Sequence, residues 1–92
     1  MQPLTRSEID SALEELDGWV FESDQIKKSF SFDTFRDAVA FIVRLSFEAE
    51  ELNHHPSLRN VYNRVDLALN THDASGKVTE KDIALAKRID NL

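Results

Sequence analysis

Three histidines are the side chains of this sequence whose type and position best fit chemistry. His54 and His55 are adjacent and are followed by Pro56, and His72 lies further along the chain. An unperturbed imidazole has a pKa of about 6.5, which suits proton exchange near neutral pH. A lone surface histidine is often only solvated, but two adjacent rings held beside a proline are a poor choice for packing alone. The pattern therefore favours general acid–base chemistry.

Other kinds of site fit the sequence less well. Adjacent side chains diverge on an extended backbone, and neither His-x-His nor His-x-x-x-His occurs, so a zinc site is disfavoured. The chain has no cysteine and no Gly-x-Ser-x-Gly elbow, which disfavours nucleophilic catalysis. Gly18 and Gly76 are the only glycines, so no glycine-rich phosphate loop is present. We expect neither a metal nor a covalent intermediate.

Composition narrows the class of protein. The 92 residues fit one domain spanning 1–92, and 41 % hydrophobic with 30 % charged residues is typical of a globular chain. A net charge of −6 argues against direct nucleic-acid binding. The lack of cysteine favours the cytoplasm over a disulfide-stapled secreted protein. No apolar run is long enough for a membrane span, and the first residues do not resemble a signal peptide.

The first part of the chain predicts a helix and a hairpin. Thr5 and Glu8 match a capping box at the start of a helix, and Asp17-Gly18 is suited to end it. Two short strands at 19–21 and 26–32 follow, with a polar turn at 22–25 between them.

A long helix then leads to the histidine pair. Apolar residues at helical spacing form one stripe: Phe35, Ala38, Val39, Ile42, Leu45, Ala49 and Leu52. Pro56 cannot continue a helix and biases His55 away from helical geometry, so Asn53, His54 and His55 should lie at or just past its C-terminal end. Phe41 and Phe47 lie off the stripe. They indicate either a subunit contact or a deeper core.

The last part of the chain predicts a second hairpin and a final helix. Residues 58–71 are strand-like, with a turn at Asn63-Arg64, and the odd positions 65–71 should face the core. His72 should then project from the polar side or from the strand's end. Thr79 and Asp82 fit the start of the last helix. The resulting order, α-β-β-α-β-β-α, predicts an α+β two-layer sandwich with about four antiparallel strands and three helices on one face.

The candidate site also resembles a known signature. Glu50-x3-His54-His55-Pro56-x5-Tyr62-x9-His72-x9-Asp82 is similar to the motif of the pterin-4a-carbinolamine dehydratases. The resemblance extends from about Leu13 to Leu92. It includes Leu16-Asp17-Gly18-Trp19, Phe30-Ser31-Phe32, the long helix, Asn60-Val61-Tyr62-Asn63 and Glu80-Lys81-Asp82-Ile83. A motif of several parts over most of a chain is far more specific than a histidine pair.

The resemblance implies a cofactor-free lyase. Members of this family remove water from a 4a-hydroxytetrahydropterin to give the quinonoid dihydropterin, and so recycle the pterin of aromatic amino-acid hydroxylases. It implies catalytic roles for His54, His55 and His72, with His54 and His72 as the acid–base pair and His55 chiefly orienting the substrate. The implied substrate-binding residues are Asn53, His54, His55, Asn70, Thr71, His72 and Asp73. Glu50, Trp19 and Asp82 would support the site, Glu50 by holding an imidazole and Trp19 as a possible pocket wall.

Departures from the family pattern and other functions keep alternatives open. Asn53 stands where an Asp is frequent, Leu58 where a tryptophan is frequent, and Ser75-Gly76-Lys77 replaces a shorter or more glycine-rich turn. The alternatives are a protein-binding dimerisation or regulatory module, or another role in handling pterins. The expected partners are a small-molecule pterin and a second copy of the chain, as a homodimer or homotetramer. We expect no nucleic acid and no membrane.

Overall fold

A computed structural model describes every residue from Met1 to Leu92 and confirms the predicted order of elements. The helices are α1 (Arg6–Leu13), α2 (Phe35–Leu52) and α3 (Glu80–Asp90). The strands are β1 (Val20–Glu22), β2 (Gln25–Ser31), β3 (Ser57–Val61) and β4 (Arg64–Leu69), and a short 3₁₀ turn covers His72–Ala74. None of the helices combines the length and the apolarity that a membrane span requires.

Helix α1 begins where its capping box predicts but ends early. The Thr5 hydroxyl accepts from the Glu8 backbone N–H at 3.1 Å, and the Glu8 carboxylate accepts from the Thr5 N–H at 2.8 Å. The predicted end at Asp17-Gly18 is wrong, because the α-helix stops at Leu13. Tighter turns of the i→i+3 type continue from there to Trp19, so the helical spacing persists after the α-helix has ended.

The four strands form one antiparallel sheet in the order β1-β2-β4-β3. In the first hairpin, Ser23 and Asp24 both have positive φ, as a two-residue turn of type I′ requires. The second turn contains Tyr62 and Asn63, one residue earlier than the predicted Asn63-Arg64. The Asn63 amide donates to the Phe32 carbonyl at 2.8 Å, which ties this turn to the end of β2.

The helices cover one face of the sheet. In β4 the odd positions Val65, Leu67 and Leu69 are buried, as their alternation predicts, and Ile26 lies opposite Leu69 on β2. The open face is polar: there the hydrogen bonds from Ser29 and then Arg64 hold the pKa of Asp66 below its usual range. The core therefore lies between the sheet and the helices, and any site must lie at its edge or in the loops.

Helix α2 is apolar on its outer side as well as on its inner side. Phe41, expected off the inward stripe, is core: its ring centroid lies 4.8 Å from that of Phe30 and 5.0 Å from that of Phe32. The inward face is centred on Ala38, Phe41, Leu45 and Ala49. The outer stripe, defined here as Phe35, Val39, Val43 and Phe47, repeats every four residues and is exposed, with Phe47 at 68 %. Phe35 and Val39 thus belong to the outer surface rather than to the core.

Candidate active site

The end of helix α2 leaves the two adjacent histidines with different exposure to solvent. Asn53 has φ 50° and ψ 45°, the left-handed conformation of a helix C-cap. Its N–H donates to the Glu50 carbonyl at 3.0 Å, and the His54 N–H donates to the Ala49 carbonyl at 2.9 Å. This pairing is the Schellman pattern, which reverses the chain within one residue. As a result His54 is buried, whereas His55 is exposed.

His54 is held by a buried carboxylate. Its Nε2 atom lies 2.5 Å from Oδ1 of Asp82, which has no exposed surface. The other carboxylate oxygen of Asp82 accepts from the Thr71 hydroxyl and from the Thr79 N–H, both at 2.9 Å. Because Oδ2 accepts two hydrogen bonds, we take Asp82 to be an ionised carboxylate, which can only accept. Nε2 of His54 is then the donor of the hydrogen bond to Oδ1. A neutral ring that donates through Nε2 has no proton on Nδ1.

Asp82 also takes part in capping the start of helix α3. Its hydrogen bond from the Thr79 N–H completes the predicted capping box with an Asp at the third helical position. The Thr71 and Thr79 hydroxyl oxygens lie 2.6 Å apart. One carboxylate therefore joins the segment that follows β4, the start of α3 and the imidazole that follows α2.

His55 and His72 are held less firmly than His54. His55 Nε2 lies 2.7 Å from a Glu50 carboxylate oxygen, and the side chains of this pair are 59 % and 77 % exposed. Water therefore competes for the contact. His72 opens the 3₁₀ turn and is exposed, and its ring makes no hydrogen bond or ion pair. Its backbone position is fixed by the Thr71 N–H, which donates to the Lys77 carbonyl at 2.8 Å.

The three histidines meet in one cavity of about 290 Å³. All seven of the predicted substrate-binding residues line it, together with Lys81, and no apolar side chain does: the eight are Asn53, His54, His55, Asn70, Thr71, His72, Asp73 and Lys81. Larger clefts on the surface, of up to about 660 Å³, contain no histidine. No group of three or more His, Cys, Asp or Glu side chains is arranged to hold a metal ion.

The expected supporting residues take different positions. Glu50 and Asp82 lie behind His55 and His54 and do not line the cavity. Trp19 is buried in the core and is not in the cavity wall: its indole N–H donates to both Asp90 oxygens, at 3.0 and 3.1 Å.

Two further positions qualify the sequence reasoning about the site. Leu58 is 43 % exposed and does not line the cavity, so the position where a tryptophan is frequent contributes nothing to the cavity wall in this chain. Lys81 was not predicted. Its only signal in the sequence is its place beside Asp82 at the start of α3.

Known proteins are similar to this chain in sequence and fold over nearly their whole lengths. The sequence profile of a family described as "Pterin 4 alpha carbinolamine dehydratase" matches residues 2–92. A protein of Opitutus terrae, named "Putative pterin-4-alpha-carbinolamine dehydratase", is 52 % identical over 89 residues, which are 97 % of this chain and 92 % of the relative. A crystal structure of a "transcriptional coactivator/pterin dehydratase" from Brucella melitensis has a TM-score of 0.93 and 41 % identity, and covers 98 % of this chain and 97 % of its own.

A more distant structure shares the fold alone. It is described as a pterin dehydratase-like protein that is a RuBisCO assembly factor in the alpha-carboxysome, with a TM-score of 0.64 and 23 % identity. It covers 79 % of this chain and 83 % of its own.

The four-stranded antiparallel sheet, the three helices on one face and the matched relatives define the class of pterin dehydratase-like α+β proteins. Within that class the assignment is specific, since the profile match runs over residues 2–92 and the identity to a relative reaches 52 %. The chain belongs to the pterin-4a-carbinolamine dehydratase family.

Proposed function

We propose that this protein dehydrates a 4a-hydroxytetrahydropterin to the quinonoid dihydropterin by histidine acid–base catalysis, within the recycling of a pterin cofactor. The observation that carries the proposal is the convergence of His54, His55 and His72 in one polar cavity. A volume of about 290 Å³ lies near the lower limit for small-molecule sites and suits a bicyclic ligand. The residues 1–92 would act as one domain, without a cofactor.

The dehydration requires two proton transfers. A proton must reach the 4a-hydroxyl as the C4a–O bond breaks, so that the oxygen leaves as water with the bonding electrons. A ring nitrogen must lose a proton, and the electrons released there complete the double bond to C4a. Imidazoles are suited to both transfers, and each transfer contributes typically 10²- to 10⁴-fold to the rate.

His54 and His72 are the proposed acid–base pair. The two rings differ in their hydrogen bonding, since that of His54 is bonded to a carboxylate and that of His72 is not bonded. Nε2 of His54 is engaged with Asp82, so Nδ1 is the atom available to take or return a proton. The carboxylate of Asp82 can stabilise the imidazolium that forms when Nδ1 accepts a proton. The ring of His72 has no partner and is free to align with a leaving hydroxyl.

The remaining lining residues have proposed binding roles. His55, turned by Glu50, would orient the substrate. Asn53, Asn70, Thr71 and Asp73 supply the donors and acceptors that match the amide and amino edge of a pterin. Asp82 supports the site from behind the imidazole.

The experiment is a stopped-flow dehydration assay with a 4a-hydroxytetrahydropterin. His72→Ala should lower kcat by about 10²- to 10⁴-fold. His54 was expected at a loop-exposed position but is buried, so His54→Ala would also leave Asp82 without its partner. His54→Gln is the better variant, because its amide can still donate to Asp82 but cannot accept a proton for catalysis. Near wild-type turnover in both His54→Gln and His72→Ala would rule out the assigned roles.

The outer stripe of α2 favours self-association, as a homodimer or homotetramer. Its four apolar side chains are exposed and continuous along the helix. The same surface keeps a second function open, that of a protein-binding module, because the similar Brucella melitensis structure is described as a transcriptional coactivator as well as a dehydratase. We further propose that the protein works in the cytoplasm, where a small domain without disulfides is expected.

A further inference from the structure

Lys81 is a cation in the wall of the histidine cavity that the acid–base scheme does not use. It is the second residue of α3 and is half-buried. Its backbone N–H donates to the Thr79 hydroxyl, which fixes where the side chain starts. A lysine ammonium has three donors and no acceptor, so in this cavity it can only pair with an acceptor or an anion.

The ammonium of Lys81 has no carboxylate partner. Three other lysines form ion pairs: Lys27 with Glu22 at 3.0 Å, Lys28 with Asp90 at 2.9 Å and Lys77 with Asp24 at 2.9 Å. The neighbouring Asp82 is engaged with His54, Thr71 and Thr79. Asp73, the other charged group of the wall, lies more than 4.0 Å from it, since no ion pair joins them. No side-chain nitrogen without a hydrogen-bond partner is buried, so water solvates this ammonium in the free protein. Because Lys81 lines the cavity, an acceptor on a bound ligand can take the place of that water.

We propose that Lys81 is a substrate-binding residue that donates to the carbonyl oxygen at position 4 of the pterin ring. The inference rests on the proposed function and specifies which residues recognise the pyrimidinone edge of the ring. The pyrimidinone edge of a pterin carries an amino group and an N–H, which donate, beside this carbonyl, which accepts. Asp73 is the only carboxylate in the wall and suits the donors, and Lys81 suits the acceptor.

The contact acts on substrate binding and not on the proton transfers. The nitrogen that loses its proton must be bonded to C4a, because its electrons complete the double bond to that carbon, so it lies in the reduced ring and not in the pyrimidinone ring. Lys81 therefore orients the substrate by its carbonyl oxygen, whereas His54 and His72 move the protons.

The test compares two unreactive ligands in equilibrium titrations: pterin, which has a 4-oxo group, and 2,4-diaminopteridine, which has an amino group in its place. Lys81→Met keeps the length of the side chain and removes the ammonium. We expect it to weaken pterin binding by about ten- to hundredfold and to leave 2,4-diaminopteridine binding almost unchanged. Lys81→Arg should restore the preference for pterin. Lys87→Met is the matched control, since Lys87 is exposed, lies on the same helix and also lacks an ion pair; it should bind like the wild type.

The outcomes separate this proposal from the proposed function. Equal loss of affinity for the two ligands in Lys81→Met, or no loss for either, would overturn the role of Lys81. If in that case the wild type still dehydrates a 4a-hydroxytetrahydropterin, the dehydratase proposal stands without a role for Lys81. If the wild type shows no turnover but prefers pterin, and Lys81→Met loses that preference, the lysine contact stands and the dehydratase proposal fails.

Discussion

Asp82 joins the His54 imidazole to the first turn of α3, with Oδ1 2.5 Å from Nε2 of His54 and Oδ2 2.9 Å from the Thr79 N–H. The two residues are 28 positions apart in the chain. A carboxylate that caps a helix is held in place by the backbone. An imidazole that is hydrogen-bonded to it is therefore held in one orientation as well. The start of α3 thereby sets the orientation of the ring that follows α2.

Asp82→Asn removes the charge of this carboxylate while it keeps the size of the side chain. The amide can still accept through one oxygen, but it carries no charge to stabilise an imidazolium and its N–H₂ group cannot accept from His54 or Thr71. We expect kcat for dehydration to fall by about 10²-fold or more, and stability to fall by about 1–3 kcal/mol. Stopped-flow rates and chemical unfolding of the same sample measure the two effects.

Asp90→Asn is the matched control for that variant. Asp90 lies on the same helix and accepts from Trp19 and Lys28, but it does not line the cavity. Asp90→Asn should lower the stability of the protein and leave the dehydration rate unchanged. If Asp82→Asn also kept the wild-type rate, Asp82 would be a helix cap and nothing more.

The sequence predicted the position of the histidine pair because local signals specify it. A proline that cannot extend a helix and a 3.6-residue stripe that ends before it are properties of a short segment. Asp82 was predicted as a helix-start residue for the same reason. Its bond to His54 could not be predicted from spacing, because it depends on how α2 and α3 pack together.

The periodic pattern of α2 does not predict how the helix packs. The helix is apolar on two faces, and a stripe at helical spacing does not say which face meets the sheet. Phe41 was thus left open between a subunit contact and a deeper core, and the packing of its ring against Phe30 and Phe32 decides for the core. Lys81 was missed for a different reason: a long charged side chain at a helix start is usually solvated, and only the fold brings it beside the histidines.

Asn53 offers a test of how the helix end aims His54. Its left-handed conformation suits Asn or Gly but is strained for β-branched side chains. Asn53→Gly should therefore keep stability within about 1 kcal/mol of the wild type, whereas Asn53→Val should cost about 1–3 kcal/mol. Chemical denaturation measures both. The same substitution at Arg36, an exposed helical position of α2, controls for the intrinsic effect of valine. Equal stability of Asn53→Val and Asn53→Gly would contradict the account.

The outer stripe of α2 leads to a prediction about assembly. Phe47 is 68 % exposed, so placing a charge there removes no core contact, but it would put an unpaired charge into an apolar interface between copies. We expect Phe47→Asp to weaken self-association by about ten- to hundredfold, as the loss of one buried aromatic side chain implies, with the fold retained. Light scattering over a range of concentrations measures the first effect and circular dichroism the second.

Ser46→Asp separates the effect of the apolar ring from that of the added charge. Ser46 is exposed and adjacent in sequence, and its hydroxyl donates only to the Val43 carbonyl, so this variant adds the same charge without removing an apolar side chain. If the apolar stripe carries the association, Phe47→Asp should dissociate the oligomer far more than Ser46→Asp does. An unchanged particle size in Phe47→Asp would exclude the stripe as the contact between copies, and it would leave those four side chains as a surface for a different protein.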